Sequence, residues 1–364
     1  MSDASPNYTF YGQACDAGEV RDFLEHILTS SRPGALPTPV CVWGTHGIGK
    51  TELVHEVAAA NGYDFVYVAS AQFEEMGDLL GMPAIEDGKT VLRPPEWVPT
   101  EPGPGILLLD DVNRADDRIL RGLMQLLQRH ALASWALPQN WHIVLTANPD
   151  GGDYSVTPMD DAMLTRMLHV TLEFDARAWA AWAERAGVDA RGIDFVLLYP
   201  ELVRGQRTTP RSLTQFFRHI ADIEDLRAHL ALVQTLGAAC LDDETVAAFV
   251  AFVQQNLAAI IQPEEILAAK NFERDVQRRI ESSTKGDVLR VDILATLCTR
   301  LWHHLLYRDA PPTEREIDNL RRFVLLDILP NDLRLSLLQE LAGHPGYGAV
   351  TADAAVATAL LEGM

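Results

Sequence analysis

The chain has few cysteines for its length, and this shortage narrows the class of protein that it can be. Four cysteines occur in 364 residues, far apart and with no C-x-x-C pair. Such spacing is typical of reduced structural thiols rather than of a disulfide scaffold or a zinc site. We therefore predict a cytoplasmic protein whose thiols only pack.

Long apolar runs are also missing. None approaches the ~18 residues that a membrane span requires, and residues 1–7 lack the basic and then apolar stretch of a secretory signal. Hydrophobic residues make up 48% of the chain, which is typical of globular domains. The length suffices for two or three domains with real cores. We therefore expect no membrane span.

Basic residues are scarce relative to acidic ones. Thirty Lys and Arg stand against 51 Asp and Glu, for a formal net charge of −21. A surface of this sign repels nucleic-acid phosphates unless a local basic patch intervenes. The basic clusters are short, as at Arg278-Arg279 near Arg274, and we interpret them as solvated helix faces. This composition favours a protein partner and disfavours DNA or RNA.

The first half of the chain alternates apolar runs with helical stretches. Continuous rather than alternating apolar strands, separated by helices, favour a parallel sheet covered on both faces. From about residue 175 the apolar spacing becomes helical, and a weaker boundary lies near residue 262. The predicted strands are Pro39–Trp43, Phe65–Ala69, Ile106–Leu109, His142–Thr146 and Val170–Phe174.

Residues 81–104 interrupt this rhythm. They are rich in Pro and Gly, and the turn signal Asp87-Gly88 predicts a hairpin that pairs Met82–Ile85 with Lys89–Leu92. Trp97 lies in this insertion and Trp135 in a shorter one before the fourth strand. Either tryptophan could be an exposed partner contact; we favour hydrophobic anchors for both.

A glycine-rich segment follows the first predicted strand. Gly44-Thr-His-Gly-Ile-Gly-Lys50-Thr51 fits G-x-x-x-x-G-K-[ST]. Glycines let backbone N–H groups turn inward around phosphate oxygens, and the helix that starts near Lys50 adds its positive end. Lys50 is expected to reach the β- and γ-phosphates of ATP, and Thr51 to offer its hydroxyl to Mg²⁺. The alternative is a plain strand–helix turn. The predicted nucleotide-binding residues are Gly44, Thr45, His46, Gly47, Ile48, Gly49, Lys50 and Thr51, with His46 supplying only its backbone amide.

Two carboxylates follow the third apolar strand. In Ile106-Leu-Leu-Leu-Asp110-Asp111 the strand delivers acidic residues to the edge of the sheet where ligands of open parallel sheets bind. Asp110 is expected to hold the magnesium, directly or through water. Asp111 would then orient or deprotonate the attacking water. The alternative is a pair of helix N-caps.

Three further polar residues follow in order. Asn148 ends the fourth strand in Leu145-Thr-Ala-Asn-Pro149, where an amide could position water. Arg166 precedes the fifth strand, and Arg211 opens a helix beyond the sheet. Singly each signal is weak, because Asn-Pro is usually a turn and Arg is usually a surface residue.

Together these motifs resemble those of the AAA+ ATPases, in particular the MoxR-like and dynein-related branch. The resemblance covers roughly residues 35–220 and is specific through the order and spacing of its parts. The matching segments are Gly44–Thr51, Gly105–Ala115, Thr146–Pro149, Met159–Arg166 and Thr209–Arg211.

The resemblance implies a fold, roles and partners. It implies a P-loop parallel-sheet core over residues 1–175 with an insertion hairpin at about 81–104, a helical lid over 176–262 and a helical region over 263–364. Asn148 matches the first sensor and Arg211 the second. Arg166 matches the finger that reaches a neighbour's γ-phosphate, which implies a ring, usually a homo-hexamer. Members often work with von Willebrand A-type partner proteins in metal insertion or complex maturation, so a chaperone-like ATPase is expected.

One position departs from the family pattern, which usually has Asp-Glu where this chain has Asp110-Asp111. Aspartate is one methylene shorter, and small misplacements of catalytic groups can cost roughly a hundredfold in rate. Slow turnover, or turnover only with a partner, is therefore an expectation. The leading hypothesis is a ring ATPase that remodels or activates a protein. The alternative is a nucleotide-gated assembly scaffold with little hydrolysis, and charge disfavours a third, a nucleic-acid remodeller.

Overall fold

The computed structural model describes residues 9–30, 35–150, 156–204, 206–255, 260–285, 289–308 and 310–362. The N-terminal residues 1–7, in which a secretory signal was not expected, lie outside these ranges. The chain divides into two units, Met1–Asp175 and Ala176–Met364. The three-domain division stays a prediction. No described helix is long and apolar enough to cross a membrane.

The first unit is built on a six-stranded sheet in the order β1-β8-β2-β7-β6-β3, with every neighbouring pair parallel. Helices cover it, and a two-stranded hairpin, β4-β5, is inserted. The fold class predicted from the sequence is therefore confirmed. In chain order the elements are β1 (Gln13–Cys15), α1 (Ala17–Thr29), β2 (Val40–Trp43), α2 (Lys50–Ala60), β3 (Asp64–Ala69), α3 (Met76–Leu80), β4 (Met82–Glu86), β5 (Lys89–Arg93), β6 (Gly105–Asp110), α4 (Asp117–Arg129), β7 (Trp141–Ala147), α5 (Asp161–Leu164) and β8 (Leu168–Leu172).

Strand β6 shows why the predicted strands lack alternation. Leu107 and Leu109 pack into the cluster that includes helix α4, whereas Ile106 and Leu108 pack into the cluster that includes helices α1 and α2. All four side chains are fully buried. A strand covered on both faces must be apolar at every position. Asp110 is the first side chain to leave this core, so the carboxylate marks the end of the strand.

At one edge of the sheet, one short strand has no counterpart in the prediction, and its neighbour has shifted bounds. Strand β1 has only three residues, all at least partly exposed, and it pairs with β8 alone. Too little of it is buried to create an apolar run. Strand β8 also begins two residues before the predicted Val170 and ends at Leu172.

The inserted hairpin forms as predicted. Asp87 and Gly88 both have positive φ, 47° and 72°, which matches a two-residue turn that follows the right-handed twist of its strands. The two tryptophans are anchors, as favoured from the sequence. Their rings meet edge to face at 5.3 Å, and Trp135 donates its indole N–H to the Leu79 carbonyl at 2.8 Å.

The second unit is helical. Its aromatic core joins three helices through Phe195, Phe216, Phe217, Phe249 and Phe252. Its helices are α6 (Ala176–Arg185), α7 (Ala190–Leu198), α8 (Pro210–Ile220), α9 (Leu230–Cys240), α10 (Asp243–Gln254), α11 (Pro263–Ala268), α12 (Arg278–Thr284), α13 (Val291–Leu306), α14 (Glu314–Val324), α15 (Asn331–Ala342), α16 (Gly348–Thr351) and α17 (Ala354–Glu362), with a π-turn at Glu273–Gln277 before α12.

A buried arginine ties the helices of this unit together. Arg300 on α13 is 3% exposed. It pairs with Glu184 on α6 and with Asp194 on α7 at 2.6 Å, and it donates to Gln262 at 3.0 Å. Burial raises the pKa of Asp194 to about 6, although Arg300 opposes the shift. Removing one partner would leave an uncompensated buried charge, which typically costs about 3–5 kcal/mol.

Candidate functional site

The glycine-rich segment forms a loop between β2 and α2. The Gly44 N–H donates to the Ala147 carbonyl at 3.2 Å, which ties the loop to β7. Gly49 has φ of +107°, and a Cβ placed on it would meet nothing within 4 Å. Glycine is therefore needed there for backbone conformation, not for space. Among the described residues no side chain caps α2, so its first N–H groups can bind an anion.

Lys50 lies at the centre of this loop. The residue is 6% exposed, and its ammonium donates to the carbonyls of Gly44 at 2.8 Å and Thr45 at 3.1 Å. A third bond reaches the amide oxygen of Asn148 at 3.1 Å. The charge is thus held beneath the loop, where it can meet phosphate oxygens that the backbone binds.

Thr51 and Asp110 meet at the C-terminal edge of the sheet. The Thr51 hydroxyl donates to Asp110 Oδ1 at 2.6 Å, and the Thr146 hydroxyl donates to the same oxygen at 2.7 Å. Tyr67 donates to the other oxygen, Oδ2, at 3.2 Å. Hydroxyl and carboxylate oxygens are the hard ligands that Mg²⁺ prefers, usually together with water and substrate phosphates. Thr51 and Asp110 therefore fit a magnesium ion that a bound nucleotide shares.

Among the residues that the structure describes, no group of three or more His, Cys, Asp or Glu could hold a metal. A two-ligand protein site completed by phosphates is the arrangement that the positions of Thr51 and Asp110 allow. Any magnesium here would then depend on the nucleotide, as it does where Mg²⁺ is bound through few protein ligands.

Asp111 has a left-handed backbone, with φ of 47° and ψ of 46°. Aspartate tolerates this conformation better than most residues. Its N–H donates to the Thr146 hydroxyl at 2.8 Å. Its Oδ1 accepts from the Asn148 amide at 2.9 Å, and its Oδ2 pairs with the Arg114 guanidinium at 3.1 Å. Both carboxylate oxygens are therefore engaged by neighbouring side chains.

Asn148 is the centre of the polar network. Its Oδ1 accepts from Lys50 and its Nδ2 donates to Asp111. Its backbone is held by Asn113, which donates to the Asn148 carbonyl at 2.7 Å and accepts from the Asn148 N–H at 3.1 Å. Both asparagines are buried. The amide of Asn148 therefore has one fixed orientation between the phosphate loop and the carboxylates.

Four of the residues in this network had no role assigned from the sequence: Tyr67, Asn113, Arg114 and Thr146. Thr146 lies within the predicted fourth strand, and its signal is a polar residue in an otherwise apolar run. Asn113 and Arg114 follow the two aspartates after one intervening residue, Val112. Position next to a strand end is the only sequence signal that these two carry.

Arg166 forms no hydrogen bond or ion pair with the loop among the described contacts of the first unit. Arg166 follows α5, is half-buried, and bonds the Ala162 carbonyl. Its guanidinium makes no ion pair with a described carboxylate of the chain. Arg211 is exposed in the first turn of α8, in the second unit. The roles of these two residues stay predictions.

A histidine links the end of β2 to the segment that carries Arg166. The Trp43 indole donates to His169 Nδ1 at 3.0 Å, and His169 Nε2 lies 2.8 Å from the Leu164 carbonyl. Since Nδ1 accepts, the proton sits on Nε2 and can be donated to Leu164. Tyr11 packs on Trp43 with ring centroids 4.7 Å apart. The phosphate loop is thus preceded by a rigid aromatic cluster.

The cysteines carry no chemistry at this site. All four are free thiols. Burial raises the pKa of the Cys41 thiol, on β2, and that of Cys298 to about 12. The thiolate is the reactive form, so these buried thiols are inert structural residues, as the sequence predicted.

The loop and the carboxylates lie within a segment that matches a known family. Residues 39–167 match the family model described as the AAA domain of the dynein-related subfamily. No curated protein matches the chain. Solved structures that are similar include a RuvB mutant of Thermotoga maritima, at 16% identity, 84% coverage of this chain, 95% coverage of that chain and a TM-score of 0.39. Another is the Thermotoga maritima RuvB Holliday junction branch migration motor, at 16% identity, 84% coverage of this chain, 93% coverage of that chain and a TM-score of 0.37.

The matched residues include the loop at Gly44–Thr51, both aspartates, Asn148 and Arg166. They end before the second unit and so leave Arg211 outside the match. Residues 39–167 therefore form an AAA domain of the dynein-related subfamily, and this domain supports an ATP-hydrolysing enzyme.

Proposed function

We propose that this ATPase binds ATP with magnesium at Gly44–Thr51 and uses hydrolysis to remodel or activate a protein partner. One observation carries the proposal: the Thr51 hydroxyl meets Asp110 Oδ1 at 2.6 Å beside a loop whose centre is Lys50. The loop and the first turn of α2 would hold the phosphates, with Lys50 between the β- and γ-phosphates. Thr51 and Asp110 would hold the magnesium, which supplies charge neutralisation on the transferring phosphoryl group.

The remaining polar side chains would act on the attacking water. Asp111 would accept the proton of the attacking water or orient that water, and Asn148 would fix the position of Asp111. Since Asn148 bonds both Lys50 and Asp111, a single amide sets the distance between the phosphate side and the base side. The buried pairing with Asn113 keeps this amide in place.

The catalytic unit would be a ring, for which a homo-hexamer is the expected form. Arg166 supports this, because it lies beyond α5 without an ion pair to a described carboxylate of its own chain. In a ring its charge would stabilise the γ-phosphate bound by the neighbouring subunit. Arg211 would act as the second sensor, from the helical unit.

A protein is the partner that the surface favours. The net charge is −21, and the basic cluster near residue 278 is neutralised locally, since Arg279 pairs with Glu265 and Arg274 with Asp275. The hairpin exposes Met82 and Ile85, at 67% and 82%, and exposed apolar side chains suit a protein contact. The resemblance to MoxR-type ATPases suggests a chaperone-like role with a von Willebrand A-type partner.

A second candidate function is a nucleotide-gated scaffold that hydrolyses little. The observation in its favour is that both oxygens of Asp111 are engaged, by Asn148 at 2.9 Å and Arg114 at 3.1 Å. These two donors take part of the accepting capacity of the carboxylate and fix its orientation, which restricts how it can meet the attacking water. A partner that releases it would turn the scaffold into an active ATPase.

The test is nucleotide binding and phosphate release by the purified chain and by Lys50→Ala. The variant should lose nucleotide binding, whereas the matched control Lys270→Ala, at an exposed position of the second unit, should keep it. Wild-type affinity in Lys50→Ala would refute the site. Binding without phosphate release in the wild type would favour the scaffold. Turnover that DNA stimulates, with a steep salt dependence, would point to a nucleic-acid partner instead.

A further inference from the structure

Tyr67 lies on β3, next to the strand that carries the magnesium aspartate. Its hydroxyl donates to Asp110 Oδ2 at 3.2 Å. Half of the residue is exposed, and its ring belongs to neither of the two core clusters described for this unit. Core packing therefore does not explain why a tyrosine occupies this position. A strand preference for aromatic residues is the plain alternative.

The sheet register places Tyr67 diagonally behind Asp110, on the same face of the sheet. Ala69 pairs with Asp110 across β3 and β6, so Tyr67 is two residues earlier on the same face of the sheet. Leu108 pairs with Val144 across β6 and β7, which puts Asp110 and Thr146 on that face as well. This is the face covered by α2, whose first turn carries Thr51. Three neighbouring strands thus carry a hydroxyl, a carboxylate and a phenol on this face, near their C-terminal ends.

The two oxygens of Asp110 have different partners. Oδ1 accepts from the hydroxyls of Thr51 and Thr146, and Oδ2 accepts from Tyr67. The Thr51 hydroxyl can face a cation with a lone pair and keep donating its proton, but a cation bound at Oδ1 would compete with both hydroxyls for that oxygen. The bond from Tyr67 to Oδ2 would then keep the carboxylate from rotating away. A phenol can also accept a hydrogen bond, so it could hold a water of the magnesium shell.

We propose that Tyr67 is a positioning residue for magnesium, which acts by fixing the Asp110 carboxylate through its Oδ2 oxygen. This inference rests on the proposed function and adds to it a residue outside the four motif segments of the first unit. Tyr67 touches neither the phosphate nor the attacking water. Loss of its hydroxyl should therefore weaken metal binding and leave the binding of metal-free nucleotide unchanged.

The test compares Tyr67→Phe with wild type and with Tyr63→Phe. Phenylalanine keeps the ring and its strand preference, so the change removes only the hydroxyl. Tyr63 is a matched control, because its hydroxyl donates to the Leu28 carbonyl at 3.4 Å, away from the carboxylates. Three quantities are measured: the affinity for fluorescent ADP without metal, the affinity for Mn²⁺ with ADP by electron paramagnetic resonance, and the Mg²⁺ concentration that gives half-maximal phosphate release.

In Tyr67→Phe the affinity for Mn²⁺ should fall about 3- to 10-fold, and the half-maximal Mg²⁺ concentration should rise by the same factor. That range corresponds to the loss of one hydrogen bond to a charged acceptor at a partly exposed site. Phosphate release at saturating Mg²⁺ should stay within about twofold, and ADP affinity without metal should not change. Tyr63→Phe should match the wild type in every measurement.

Two results would overturn the inference while leaving the proposed function intact. One is a wild-type metal affinity in Tyr67→Phe. The other is an equal fall in ADP affinity without metal, which would place Tyr67 against the nucleotide or in the fold. A different result, wild-type protein that binds no nucleotide with or without metal, would refute the proposed function itself and the inference with it.

Discussion

Replacing Asp111 with asparagine separates the chemistry of the site from its architecture. The two side chains have the same shape, and asparagine tolerates the left-handed backbone of this position as well as aspartate does. The amide oxygen can still accept from Asn148. What the change removes is the negative charge, and with it the ability to take a proton from water.

The structural cost of Asp111→Asn is small. The lost ion pair with Arg114 joins side chains that are 35% and 43% exposed, and such pairs contribute about 0.5 kcal/mol. The weaker bond from Asn148 adds about 0.5 kcal/mol. A total near 1 kcal/mol would lower the melting temperature by about 2–4 °C in a domain of this size. The catalytic cost is larger, since a general base contributes about 10²- to 10⁴-fold to the rate.

The assay is phosphate release at saturating Mg²⁺ and ATP, with nucleotide affinity and thermal melting measured on the same samples. We expect release to fall at least a hundredfold while affinity stays at the wild-type level. Turnover above about one tenth of wild type would refute Asp111 as the base. Asp111→Glu is the comparator. Its longer side chain loses the two fixed contacts, and the left-handed backbone costs it about 1 kcal/mol. Its turnover should therefore also fall, by about tenfold. A rise would mean that the short aspartate limits the rate.

Two further predictions follow from single side chains. Arg166→Ala should keep nucleotide affinity and lose turnover, because an arginine finger contributes about 10³- to 10⁵-fold to the rate. Mixing this variant with Asp111→Asn subunits should restore activity above that of either variant alone. No gain on mixing would contradict catalysis between subunits. His142 is 5% exposed, and burial lowers its pKa to about 4 from an ordinary 6.5. The unfolded chain therefore takes up this proton first, and the free energy of unfolding should fall as the pH drops from about 6.5 to 4, by about 1–2 kcal/mol at pH 5. Denaturant unfolding at pH 7 and at pH 5 checks this. Between these two pH values the free energy of unfolding should fall less in His142→Gln than in the wild type. An equal fall in both proteins would contradict the prediction.

The sequence was sufficient for the parts of the fold that leave a local mark. The strands β2, β3, β6 and β7 are largely apolar, since β2, β6 and β7 are buried along nearly their whole length, and each of these four predicted strands lies within a residue of the observed one. The hairpin was marked by Asp87-Gly88, whose backbone requirement few other residue pairs meet. These features depend on neighbours in the chain and not on the order of strands in the sheet.

Strand β1 was missed for the opposite reason. It is three residues long, partly exposed and stabilised by pairing with β8, which lies about 155 residues further along the chain. Nothing in Gln13–Cys15 marks it as a strand. Short edge strands take their conformation from a partner, so they escape prediction from local pattern.

In the candidate site, single residues could likewise be predicted from local sequence, whereas their contacts depend on the order of strands in the sheet. Lys50 could be found from the glycine-rich motif, and Asp110 and Asn148 because each stands at the end of an apolar strand, where a polar residue stands out. That they meet depends on the order β2-β7-β6-β3, which places the ends of these strands side by side. Tyr67 precedes the end of β3 by two residues, and in the sequence it is one more aromatic residue in an apolar run. Only the register between β3 and β6 brings its hydroxyl to Asp110, and so a residue that we assign to the magnesium site is one that no motif of this sequence contains.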